Sequence, residues 1–208
     1  MPLIQTIRVE KNTQVSVWHI TEDERFLKDI TLNENSQLRL NGMKSESHRK
    51  GFLTVRHLLV SNGYSDNDLH YNKSGKPLLK NGLNISISHS FDYSCIIISD
   101  QIVGIDIEKN RDKILRIAHR FIGIEKIEYE NTQEQVKMLT KIWAIKESLF
   151  KTRPEGNILF KDHLFVNDFS IDDSSTKAKI IKHGTIEIHD AYFMDFPNYS
   201  LAYTIKSV

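Results

Sequence analysis

Asp106 and Glu108 stand two residues apart in "GIDIEK" (104–109), and Glu147 and Lys151 stand four apart in "WAIKESLFK" (143–151). Carboxylates grouped in this way are the ligands a hard divalent cation takes, since Mg²⁺ binds oxygen. The first stretch reads as a strand. Its side chains alternate, so Ile105 and Ile107 point one way and Asp106 and Glu108 the other. Like charges at that spacing repel unless water or a cation lies between them. The stretch alone therefore fits a solvated acidic face as well as half of a Mg²⁺ site. Trp143, Glu147 and Lys151 recur every four residues and share one helical face. Taken alone, Glu147 and Lys151 fit an exposed ion pair contributing under about 0.5 kcal/mol, and Trp143 fits a core aromatic. Ser88-His89-Ser90 closes a strand just before a turn, where a histidine is commonly structural or exposed.

The elements that must position these residues can be read from pattern. "VSVWHI" (15–20) has the β-branched and aromatic content of a strand. Thr21 followed by Glu24 is a capping-box signature, which predicts a helix opening at "TEDERFLKDI". From Ser45, "SESHRKGFLTVRHLLVSNG" puts Phe52, Val55, Leu58 and Leu59 on one face and stops at Asn62-Gly63. "KSGKP" (73–77) is a turn. "LNISISHS" is a half-buried strand. "YSCIIIS" and "QIVGIDIE" are two more, predicted to meet as a hairpin near Asp100-Gln101. "KILRIAHRFIGIEKIEYE" is predicted helical, weakened at Gly123, where it is open to being split. Residues 132–151 form the strongest helix pattern, ended by "RPEGN". "HLFV", "KAKIIKH", "TIEIHDAYF" and "YSLAYTIK" follow as strands. The fold class is therefore α+β, in two halves, 1–100 and 101–208, without a linker between them.

Composition narrows the function classes. The 208 residues carry a formal net charge of +1, which argues against a nucleic-acid partner unless a basic patch is local. A single cysteine, Cys95, permits no internal disulfide, and in its apolar run it reads as a buried reduced thiol in a cytoplasmic protein. The opening residues lack the apolar core of a signal peptide, and no segment reaches membrane-spanning length.

Four motifs occur together and in order: "GKP" (75–77), "ISISHS" (85–90), "GIDIE" (104–108) and "WAIKESLFK" (143–151). This set resembles the 4′-phosphopantetheinyl transferase superfamily, in its long, broad-specificity, surfactin-synthetase-activating form rather than the short holo-acyl-carrier-protein synthase form. The resemblance covers about Lys44 to Lys151. It implies two similar α+β halves about a pseudo-twofold axis, with coenzyme A in the cleft between them. The implied reaction moves 4′-phosphopantetheine from coenzyme A to a serine of an acyl or peptidyl carrier protein and releases 3′,5′-ADP. The implied metal is Mg²⁺, held by Asp106, Glu108 and Glu147. Lys151 matches the family lysine beside the phosphates, and Ser88, His89 and Lys76 match coenzyme A contacts. "KSESHR" (44–49) makes Arg49 a further phosphate contact, and Lys146 is a weaker candidate.

Two positions depart from the family pattern. Where some members carry lysines for the 3′-phosphate of coenzyme A, "LNENSQLRL" offers only Arg39. The family's general base falls at Lys126 in strict register; Glu125, one residue away, is taken as the base, with Glu128 the alternative. The basic residues Lys109, Arg111, Lys113, Arg116, Arg120 and Lys126, interleaved with Ile114, Leu115 and Ile117, form the expected docking patch for an acidic carrier protein. The resemblance further implies a cytoplasmic monomer with no membrane or nucleic-acid partner. The competing readings are another Mg²⁺-dependent phosphotransferase or nuclease, and a non-catalytic coenzyme A-binding homologue.

Overall fold

The computed structural model describes residues 4–10, 12–153 and 157–207. The chain divides into two compact units, Met1–Asp100 and Gln101–Val208. Both combine helices with an antiparallel sheet, so the fold class is α+β.

The N-terminal unit contains β1 (Ile4–Glu10), β2 (Thr13–His19), α1 (Glu24–Leu27), α2 (Glu34–Gly42), α3 (Glu46–Ser61), β3 (Leu69–Tyr71), β4 (Pro77–Leu79), β5 (Asn84–Ser90) and β6 (Tyr93–Ser99). Its six strands are ordered β1-β2-β6-β5-β4-β3. The helix predicted from Ser45 is α3. Ser45 caps it by accepting from the His48 N–H, and Gly63 takes a left-handed φ of +82° just past its end. Its apolar face, Phe52, Val55, Leu58 and Leu59, packs with Trp18, Ile85 and Ile96 of the sheet. The capping box predicted at Thr21 does not form. The helix there is one turn long, starts after Asp23, and makes no side-chain cap bond. Glu24, the other half of that signature, is drawn instead to Arg49 and Lys28.

The C-terminal unit contains β7 (Val103–Lys109), α4 (Lys113–Ile117), α5 (Thr132–Thr152), α6 (Phe160–His163), β8 (Leu164–Val166), β9 (Ser175–Lys182), β10 (Thr185–Phe196) and β11 (Tyr199–Lys206). Its sheet order is β7-β11-β10-β9-β8. The predicted hairpin of "YSCIIIS" and "QIVGIDIE" is corrected here. β6 pairs β2 and β5, whereas β7 pairs β11 in the other sheet. The long helix predicted at 113–130 is also corrected. α4 is five residues long, a 3₁₀ turn follows at Ala118–Arg120, and the rest is irregular. A Cβ on Gly123 would sit 2.7 Å from the Lys161 carbonyl oxygen, a close approach to another segment. The Gly123 N–H bonds the Glu125 carboxylate rather than a helical carbonyl. The predicted helix stop falls partly on residues 154–156, outside the described residues.

α5 covers one face of this sheet. Val136, Leu139, Ile142 and Leu149 join Leu164, Ala178, Ala191, Phe193 and Ala202 in its core. In the β7–β11–β10 register, Asp106 lies opposite Ala202, and Ala202 opposite Phe193. Directly opposed residues share a sheet face, so Gly104, Asp106 and Glu108 lie on the side that α5 covers. Ile105 and Ile107 face away.

Candidate active site

Local structure accounts for the acidic pair. β7 turns its two carboxylates under α5, so these charges are not a solvated edge; Asp106 is 4% exposed. The strand can come so close because of Gly104. A Cβ there would lie 1.9 Å from the Ser148 carbonyl oxygen and 2.8 Å from its carbon, so only glycine fits without moving α5. The contact sets the strand's carboxylates beside Glu147 and Lys151, the residues on either side of that turn of the helix.

Lys151 Nζ donates to Asp106 Oδ1 at 2.7 Å and to the Ile105 carbonyl at 2.8 Å. Trp143 Nε1 donates to Glu108 Oε1 at 3.3 Å. The Trp143 ring also stacks near Phe160 and meets Phe121 edge-on, so the tryptophan is both a core aromatic and a partner of the site. Glu147 is pushed up to about 7, first by burial and then by the negative charges of Asp106 and Glu108, with Lys151 pulling the other way. Asp106, Glu108 and Glu147 thus share one field with Lys151. Among the described residues, no three histidine, cysteine or acidic side chains converge into a metal-ligating cluster as they stand. The donor set nonetheless suits a hard cation, because all three groups offer oxygen and their mutual repulsion is what a cation relieves.

Glu125 and Lys146 occupy a different setting. Lys146 is fully buried and its Nζ lies 2.6 Å from Glu125 Oε1; it also donates to the Phe121 and Phe160 carbonyls. Burial pushes this lysine below its ordinary value, against the pull of Glu125. Glu125 further accepts from the Gly123 and Val166 N–H groups. The pair ties the irregular 121–131 segment to α5 and β8. Lys146, read from sequence as a possible nucleotide contact, is corrected to an internal anchor. Glu125, buried, and Glu128, exposed, line one pocket together with Lys126, Tyr129, Asn167 and Asp168. A second pocket next to Glu108 is lined by Lys109, Arg111, Lys113 and Trp143. Arg116 and Arg120 are exposed, but Ile114 is buried and Leu115 and Ile117 pack on the core, so the apolar half of the expected docking patch points inward.

In the N-terminal unit, Ser88 and His89 end β5, Ser88 buried and His89 exposed. Lys76 sits in the turn before β4, where Asn72 Oδ1 accepts its N–H and Gly75 supplies a φ of +80°. Arg49 is clamped: Glu24 takes its Nε and Nη2, and the Met43 and Lys44 carbonyls take Nη1. Those hydrogen bonds hold Glu24 down at about 2. Arg39 lies over the Phe52 and Tyr71 rings.

Residues 102–204 match the family model described as the 4′-phosphopantetheinyl transferase superfamily. This segment belongs to that superfamily. Curated relatives extend the similarity into the N-terminal unit. The chain is 30% identical to the 4′-phosphopantetheinyl transferase gsp of Aneurinibacillus migulanus over 56% of its length and 48% of the relative's. It is 30% identical to the 4′-phosphopantetheinyl transferase Sfp of Bacillus subtilis (strain 168) over 65% of each. A third relative, the 4′-phosphopantetheinyl transferase ffp of Bacillus subtilis, is 27% identical over 87% of this chain and 84% of its own length. The alignments with the first two thus span about half and just under two thirds of those relatives.

The motifs put Asp106, Glu108, Glu147 and Lys151 forward, and the structure brings these four side chains together at the β7–α5 contact. The reading missed Gly104 as the residue that lets β7 touch α5, and Trp143 as a hydrogen-bond partner of Glu108. A strand glycine inside an apolar run was the available signal for the first.

Proposed function

We propose that this chain transfers 4′-phosphopantetheine from coenzyme A to a serine of an acyl or peptidyl carrier protein, with Mg²⁺, releasing 3′,5′-ADP. The carrying observation is the β7–α5 contact, in which Asp106, Glu108 and Glu147 share one field and Lys151 pairs with Asp106. The superfamily match and the relatives' names support the same reaction.

Asp106, Glu108 and Glu147 would hold the cation. When bound, it neutralises phosphate charge and favours departure of the leaving group. Lys151 adds a fixed positive charge beside the transferring phosphoryl group, where electrostatic positioning supplies most of the catalysis. Trp143 keeps Glu108 oriented. Lys76, Ser88 and His89 are assigned to coenzyme A. Arg49 is assigned to the same ligand through the pocket it shares with Glu24, Lys28 and Met43, although Glu24 offsets its charge. A base must reach the serine hydroxyl. Both glutamates line one pocket, but Glu128 is exposed while Glu125 is buried and paired with Lys146, so we assign the proton to Glu128 and the anchoring to Glu125.

Calorimetry of coenzyme A with and without Mg²⁺, followed by mass spectrometry of apo carrier proteins, tests the reading. Metal-dependent binding and a phosphopantetheine adduct are expected. Metal-independent binding with no adduct on any carrier would overturn it. Glu128→Gln is expected to lower kcat while Glu125→Gln lowers stability; the reverse result would exchange their roles.

A further inference from the structure

Gly51 lies in the middle of α3, where glycine is a poorer helix former than alanine because its backbone loses more freedom. It is buried and helical, so no left-handed turn calls for it. Its neighbour across the sheet does. A Cβ on Gly51 would lie 2.6 Å from Cδ2 of His89, 3.0 Å from its Cγ and 3.4 Å from its Cβ. The imidazole is therefore seated against the helix backbone, and a methyl group at Gly51 would push the ring from this position.

A second set of contacts fixes the register. His89 pairs with Ser94 across the β5–β6 hairpin. The Ser94 hydroxyl lies 2.7 Å from that of Thr54, and both side chains are fully buried. The Gly51 carbonyl lies 3.0 Å from Thr54 Oγ1 and 3.4 Å from Ser94 Oγ, so while one hydroxyl donates to the other, the second can donate to that carbonyl. The strand opposite His89 is thereby stapled to the turn of α3 that carries Gly51. His48, earlier on the same helix, meets the His89 ring edge-on at 6.2 Å between centroids.

We propose that Gly51 is a positioning residue for coenzyme A: it leaves room for the His89 imidazole against α3, and the Thr54–Ser94 staple holds helix and hairpin in that register. His89, exposed but backed by the helix, is preset for a phosphate-bearing ligand, which lowers the ordering cost of binding. The inference rests on the assignment of His89 to coenzyme A made above.

The test uses Gly51→Ala, His89→Ala and the double variant of the full chain. One readout is the His89 imidazole proton–carbon NMR signal, assigned by its loss in His89→Ala. The other is KM for coenzyme A. Gly51→Ala is expected to shift the His89 signal, to keep Tm at or above wild type, and to raise KM by roughly tenfold, because small displacements of a binding group are costly. In the His89→Ala background the same change should add nothing, since the atoms it would strike are gone. An unmoved signal, or an equal rise in KM in both backgrounds, overturns the inference. An unchanged KM in His89→Ala sinks the assignment of His89 to coenzyme A and the functional half of this inference with it, while the signal shift still reads the packing. Should Gly51→Ala fail to fold, the double variant is expected to fold, and its failure would also overturn the inference.

Discussion

Each unit lays one long helix on an antiparallel sheet, and each brings the two together at a glycine, but the glycines face different obstacles. In the N-terminal unit the glycine is on the helix, and what fills the space is the His89 side chain. In the C-terminal unit it is on the strand, and what fills the space is the Ser148 backbone. Polarity differs in the same sense. Hydroxyls of Thr54 and Ser94 join α3 to its sheet. Ionisable groups line α5: Lys151 with Asp106, Lys146 with Glu125, and Glu147 among carboxylates. A side chain can yield and a hydroxyl pair is neutral, so the first interface has slack. Backbone cannot yield and buried charge needs its partner, so the second has little.

The sharpest test of that contrast removes a buried charge. Lys146→Met leaves Glu125 buried and unpaired, and is expected to cost about 3–5 kcal/mol in urea unfolding. Adding Glu125→Gln should recover most of it; no recovery would mean that the pair is not the source of the loss. Gly104→Ala comes next. It should cost more than about 3 kcal/mol, as overpacking against backbone does at its upper end, while Gly51→Ala should cost almost nothing in stability. Equal losses at the two glycines would erase the comparison.

A third effect depends on pH. His189 on β10 is fully buried, and neither its ring nitrogens nor the Thr204 hydroxyl finds a hydrogen-bond partner among the described residues. Burial pushes His189 from 6.5 down to about 4, with Glu187 and Asp190 pulling it up and Lys206 pushing it down. The unfolded chain therefore binds the proton more readily. The contribution is complete above about pH 6.5, falls as pH drops toward about 4, and amounts to at most about 3 kcal/mol. Glu147 slopes the opposite way in metal-free protein: its folded value is raised from 4.5 to about 7, so stability falls as pH rises between those values. Denaturation of wild type and His189→Gln from pH 4 to 7 should differ in slope below pH 6.5. Parallel curves would remove His189 from this account.

The smallest expected effect is on Asp106. Without metal, Asp106→Asn should change stability by less than about 1 kcal/mol, because the lost bond to Lys151 is offset by relief of Glu147. With Mg²⁺, wild type should gain in Tm and the variant should not. A full Mg²⁺ shift in Asp106→Asn would break the metal assignment.

The sequence by itself determined the α+β class, strands β2 and β5 to β11, helices α3 and α5, and the acid–lysine spacing on β7 and α5. These rest on alternation, 3.6-residue periodicity and caps, all of which act between residues close in the chain. Tertiary structure alone decided the rest. "YSCIIIS" and "QIVGIDIE" look locally like a hairpin, yet their partners are distant strands in separate sheets. The periodicity after Lys113 promised a long helix, but Gly123 is taken up by the Lys161 carbonyl and by Glu125. Lys146 could have pointed anywhere until Phe121, Glu125 and Phe160 closed around it. The acidic face of β7 could have faced water until α5 settled on it. The physical reason is common to all four: a side chain's charge state and partners are set by what buries it, and those neighbours come from far along the chain.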